Sequence, residues 1–290
     1  MLNDRFGLPI LYLAILLLAL TGLFAKLIPL DAISIIQLRG VVATAGLAMF
    51  GFIQKRSFRL NGYRTYFSVY ALGLLLGVHW VLFFHAMQIS SVAVGMLSLF
   101  SYPIITIFLE PLFSGKGWKT RDLFAGVIMI SGLALMVAKG QDFSNGAVTW
   151  GVLWGVLSAI LFSFRILFQK YYFSHVPSDC LMFHQVVAVG VMLIFFVDYP
   201  QVFSLSGLDF LKVLLLGVFS TAGAHTLLVF SLKKLPAKTV ALISCLQPVI
   251  AALLAWYFVS EIPEQSVLIG GAMVLSVAAY ESLQKPPVSG

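Results

Sequence analysis

Arg39 is a fixed charge set deep in an apolar run, 31–53. It lies about eight residues from the run's nearer end, so roughly 12 Å down a helix rising about 1.5 Å per residue. A guanidinium in that setting faces a partner or a water-filled cavity. It could grip a carboxylate or a phosphate; it could also pair with helix-end carbonyls or an acid. His79 and His225 stand in two further apolar runs. Neutral imidazole donates and accepts, and it titrates near working pH, which suits proton coupling or polar recognition. A satisfied interhelical hydrogen bond is the alternative. Trp80 adds an aromatic wall beside His79. Tyr102 and Gln247 each precede a proline, Pro103 and Pro248. Proline lacks an N–H, so it frees a carbonyl one turn upstream and kinks the helix. Inside a membrane such backbone is tolerated where it lines a cavity. Arg39, His79, Trp80, Tyr102, His225 and Gln247 therefore form the candidate binding set for a small molecule. Glu110 and His184, nearer the ends of their runs, are weaker candidates for proton coupling or an ion pair.

The elements that hold these residues follow from composition. The 290 residues are 60% hydrophobic and only 10% charged. Soluble domains carry about 25% charged residues, so this chain is solvated by lipid. Its apolar runs are continuous rather than alternating, which excludes a closed barrel and leaves helices. Spans are expected at 8–28, 31–53, 66–87, 90–113, 121–138, 147–170, 179–197, 208–230, 237–259 and 265–283. The first run is too long for a cleaved leader and is read as a retained span. Links are short, so no soluble domain intervenes.

Ten spans put both termini on one side. That side gathers Arg5, Lys55, Arg56, Arg59, Arg64, Lys116, Lys119, Arg121, Lys170, Lys233, Lys234, Lys238 and Lys285. Only Lys26, Lys139 and Lys212 fall opposite. The positive-inside rule makes the crowded side cytoplasmic. The net charge of +7 is then topology, not a nucleic-acid footprint. Lys26 and Arg165, near span ends, are expected to snorkel; His85 lies near the outer surface. Cys180 and Cys245 make neither a disulfide framework nor a metal motif. No phosphate loop or zinc motif occurs, so no cofactor is expected and ATP-driven transport is not encoded.

Half the chain repeats the other half. The stretch 90–134 returns at 235–279, with Pro103 on Pro248, Gly126 on Gly271, Leu97 on Leu242 and Ser131 on Ser276. His79 and His225 miss that register by one. The chain thus divides into repeats at 1–140 and 141–290. Each repeat has an odd number of spans, five, so the second enters the membrane inverted. Inverted repeats place a substrate site near the midplane between them. The expected fold is an all-α integral membrane protein of ten transmembrane helices, as two inverted five-helix repeats. Two G-x-x-x-G patterns, Gly73/Gly77 and Gly151/Gly155, suit close helix packing within the bundle.

The pattern resembles the EamA-type branch of the drug/metabolite transporter superfamily. The resemblance rests on Ala86-Met87, Ser98 to Pro103 and Gly126 in the first copy. In the second it rests on Ser231-Leu232, Ser244 to Pro248, Ala255-Trp256, Glu261 and Gly271. Lys116 departs from it by standing opposite Glu261, and Ser260 stands where the family has Gly. The resemblance implies a secondary transporter of small organic metabolites (amino acids, nucleoside-like or related solutes) in the cell inner membrane. It also implies a cavity built from spans one, three, four, six, eight and nine. The expected partners are a small-molecule substrate and the lipid bilayer, with proton or exchange coupling and a homodimer left open, and no nucleic acid. The alternative is a membrane-embedded enzyme or lipid-handling protein, which would need a nucleophile, acid pair or metal set clustered in the membrane.

Overall fold

Helix is the one open structure that satisfies every backbone donor in lipid without a neighbour. The computed structural model describes residues 6–90, 92–115, 117–138, 146–250, 253 and 265–283, and no strand occurs among them. The helices are α1 (Gly7–Leu27), α2 (Ala32–Ile53), α3 (Tyr63–Ile89), α4 (Val92–Leu99), α5 (Tyr102–Ser114) and α6 (Thr120–Ala138). They continue with α7 (Gly146–Tyr172), α8 (Ser178–Leu193), the short α9 (Tyr199–Phe203), α10 (Gly207–Leu215), α11 (Ala224–Lys234), α12 (Ala237–Ser244) and α13 (Gln265–Leu283). A π-helical segment, Leu216–Gly223, joins α10 to α11 into one rod. Four helices are long and apolar enough to cross a membrane: Ala32–Ile53, Tyr63–Ile89, Gly146–Tyr172 and the rod Gly207–Lys234. Shorter apolar helices accompany them, among them Gly7–Thr21 and Ser178–Leu193. Lys116, Ala255, Trp256, Ser260 and Glu261 lie outside the described residues, as do Arg5, Lys139, Lys285 and the side chain of Lys26.

Local chemistry sets the element ends. Asp31 caps α2 by accepting from the N–H groups of Ile33 (2.9 Å) and Ser34 (3.0 Å), which satisfies donors the helix leaves orphaned. The run around Pro103 is two helices rather than one, with its break at Phe100-Ser101. The second copy breaks at the matching place, Cys245, before helix resumes over 246–250. Each break lies two or three residues ahead of its proline, where the missing N–H interrupts the helical ladder.

The packing pairs the two halves. α3 lies along α7, and α1 along α11. α2 lies against α8 and the π segment; α6 packs on α13, and α5 on α12. Exchange α1 with α7, α2 with α8, α3 with the rod, α4–α5 with α12, and α6 with α13, and these pairs map onto one another. Gly73 lets α3 approach α8: a Cβ there would stand 2.5 Å from that of Ala188. Gly151 and Gly155 similarly admit Ser90 and Ser98.

Arg165 corrects an expectation. It is 0% exposed and does not snorkel. Its Nε donates to Gln185 Oε1 at 2.9 Å, and Gln169 Nε2 donates to the same oxygen at 3.1 Å. The rotational phase of α7 turns Arg165 toward α8 instead of along the bundle surface.

Candidate functional site

A cavity of about 60 Å³ opens where the broken helices of both copies meet α1, α2, α3, α7 and α11. Its polar lining is Thr21, Arg39, His79, Tyr102, His225, Ser244 and Gln247. Its apolar lining includes Trp80, Phe83, Phe84, Phe100 and Phe162. All six residues of the candidate binding set are therefore brought to one place. The second span contributes too, through Arg39, beyond the six spans that the resemblance implies.

Arg39 is held on three sides. Its Nε donates to Thr221 Oγ1 at 2.9 Å, and that hydroxyl donates to the Leu216 carbonyl at 2.8 Å within the π segment. The guanidinium carbon lies 4.3 Å from the centre of the Trp80 ring and 5.8 Å from that of Phe84. Stacking on an indole face stabilises a cation without neutralising it. No carboxylate among the described residues pairs with Arg39, which is 1% exposed.

The two histidines differ. His79 Nδ1 lies 3.1 Å from the Ser158 carbonyl and 2.7 Å from its hydroxyl, and Ser158 Oγ donates back to the His79 carbonyl at 2.9 Å. A carbonyl only accepts, so this network assigns the proton to Nδ1 and leaves Nε2 an acceptor. Its ring stacks on Phe162, centroids 4.7 Å apart. His225 packs on Trp80 at 5.1 Å, but its buried Nδ1 has no partner among the described residues, and neither does Thr21 Oγ1.

Tyr102 and Gln247 reach across the bundle. The Tyr102 hydroxyl donates to the Ala241 carbonyl at 3.1 Å, and Gln247 Nε2 to the Leu18 carbonyl at 3.1 Å. The prolines deprive the carbonyls of Leu99 and Ser244, one turn upstream, of their helical donor. Leu99 and Ser244 both line the cavity.

Glu110 and His184 lie elsewhere. Glu110 Oε1 accepts from the Ala237 N–H (2.9 Å) and the Tyr171 hydroxyl (3.0 Å), and Oε2 from the Lys238 N–H (3.0 Å). It caps the start of α12 from the opposite copy, where a negative charge suits the helix dipole. Around it Lys238 pairs with Asp122 (2.6 Å) and Lys170 Nζ donates to the Leu235 carbonyl (2.5 Å). This polar seam sits at the end of the bundle richest in Lys and Arg. His184 Nε2 binds the Phe58 carbonyl at 2.7 Å, tying the link between α2 and α3 to α8.

Thr221, Ser158 and Thr21 are site residues that sequence reasoning missed, because lone hydroxyls in apolar runs are ordinary. One signal was present: Ser158, Arg165 and Gln169 recur at helical spacing along one face of α7.

The sequence profile of the EamA-like transporter family matches residues 5–138 and, again, 149–280. The chain belongs to the EamA-like transporter family. The double match makes it a two-repeat member, and with its apolar helices it is a multi-pass membrane protein. An uncharacterized transporter of Archaeoglobus fulgidus is 24% identical over 276 residues, 94% of each chain. Another, the uncharacterized transporter YxxF of Bacillus subtilis, is 22% identical, covering 91% of this chain and 85% of its own. One crystal structure superposes with a TM-score of 0.82 at 17% identity, over 96% of this chain and 97% of that one; it speaks for the fold alone. EamA-like membership and relatives named as transporters point to a transporter rather than an enzyme.

Proposed function

We propose that this EamA-like protein is a secondary transporter that moves a small organic metabolite across the cytoplasmic membrane by alternating access. In this reading ten spans form two inverted repeats of five, with both termini in the cytoplasm. The observation that carries it is the convergence of Arg39, His79, Trp80, Tyr102, His225 and Gln247, drawn from both copies, on one cavity between them. The paired packing of the halves adds to it, since two inverted copies can exchange conformations and so exchange the open side.

The cavity is small beside the roughly 300–1,000 Å³ of ligand clefts, so loading it requires the copies to part. The seam at Glu110 joins the copies at the Lys- and Arg-rich end, which the positive-inside rule makes cytoplasmic. It is the closed gate of this conformation, and opening inward breaks the hold of Glu110 on α12. A membrane enzyme or lipid-handling protein would need a clustered nucleophile or acid pair. Among the described residues the lining includes no carboxylate and no thiol.

The test is counterflow in sealed proteoliposomes loaded with a metabolite library, with and without a pH gradient. Accumulation of labelled solute that Tyr102→Ala or Gln247→Ala removes supports the reading, and its response to pH separates proton coupling from exchange. Uniform failure across the library in either direction would sink it.

A further inference from the structure

We infer that the cavity takes an organic monocarboxylate with an apolar or aromatic body and no free amine. The inference rests on the transporter reading for the site's purpose, but its argument is one of charge. Arg39 and Arg165 are 1% and 0% exposed, and no described carboxylate pairs with either. A buried ion without a counter-ion is costly, above all between lipid-facing helices. Arg165 is enclosed by Gln185, Gln169 and Met182, whereas Arg39 lines the cavity. Only its Nε is bound to a described residue. The two terminal nitrogens keep the parallel donors that match a carboxylate's two oxygens.

The neighbours select against other charges. Among the described residues the cavity's lining holds no acid for an ammonium group, so a free amino acid would bury its amine unpaired. A carboxylate that lacks the amine, or carries it acylated, meets no such cost. Thr21 Oγ1 and His225 Nδ1, buried at the same cavity without partners among the described residues, remain for the ligand's other polar atoms. Trp80, Phe84 and Phe162 supply the wall for an apolar body.

The full-length protein in detergent decides this by thermal stabilisation. The probes are benzoate, phenylacetate, indole-3-acetate and hexanoate, each beside its neutral amide, with phenethylamine and phenylalanine as the amine and zwitterion. Stabilisation rises with ligand as ln(1 + [L]/Kd). Acids should raise the melting temperature in a saturable way, while amides and the amine leave it flat. Arg39→Gln should weaken the best acid roughly 10- to 100-fold, the range for a lost charged hydrogen bond. If Arg39→Gln fails to fold, the acid-against-amide comparison in the unaltered protein still decides. Amides matching their acids, phenethylamine or phenylalanine binding better, or no acid binding at all would overturn the inference. Vesicles separate the two ideas. An acid that binds and is not moved leaves the anion site standing and ends the transport reading. A neutral or cationic solute that is moved while no acid binds does the reverse.

Discussion

Arg39 and Glu110 are both charges buried between the two copies, and the fold treats them in opposite ways. Glu110 accepts from two backbone N–H groups and a tyrosine hydroxyl, so both oxygens are engaged. Among the described residues Arg39 has one hydrogen bond and an indole face. A saturated charge holds a structure together, because removing it strands its partners. An undersupplied charge costs stability in the empty protein and keeps binding capacity for something outside the chain. The seam and the cavity are told apart by that difference, not by depth or residue type.

The sharpest way to break the contrast is Arg39→Gln. Transport of the proper substrate at subsaturating concentration should fall by roughly 10- to 100-fold, while the melting temperature of the empty protein stays level or rises, since an uncompensated charge has gone. A large loss of stability would show that Arg39 is a structural ion like Glu110. Next comes Glu110→Ala, which should cost about 2–5 kcal/mol by stranding buried N–H groups. If the seam is the proposed gate, the change should also speed maleimide labelling of the buried Cys245 from the Lys- and Arg-rich side. Unchanged labelling would mean that the seam does not guard the cavity. Trp80→Leu removes the cation's aromatic face and should weaken substrate binding about 2- to 30-fold, for a contact worth about 0.5–2 kcal/mol. Titration of binding against Trp80→Phe would show whether the ring or only its bulk matters. The smallest effect is expected from His184→Ala: about 1 kcal/mol of stability from the lost tether to Phe58, with the pH dependence of transport unmoved. A flattened pH profile would return His184 to a coupling role.

The candidate cavity was unusually legible in the sequence, for a reason particular to lipid. A polar side chain in a long apolar run has nowhere to go but inward. Arg39, His79, His225 and Gln247 could therefore be picked out singly, and the matched prolines said where the ladder would break. What spacing does not carry is the far end of each hydrogen bond. Nothing near Glu110 in the chain announces that it caps a helix beginning at Ala237, because that contact crosses from one copy to the other. Arg165 shows the same limit from another side. Its distance from the span end suggested an escape route to water, while the helix's rotational phase sealed it against Gln185. Thr221 depends on a π turn that no residue pattern in the rod marks.

That π turn makes the two halves unequal. The rod carries it, whereas its counterpart α3 is α-helical throughout its 27 residues, and a π turn winds i→i+5 where an α turn winds i→i+4. Two identical inverted copies would be indifferent to which side they faced, with a resting equilibrium constant of one. A π turn in one copy and not in its counterpart would lift that degeneracy. About 1.4 kcal/mol of difference is enough to skew a two-state population tenfold, so under the proposed transport cycle a preference for one side would be written into the covalent chain before any solute or gradient acts.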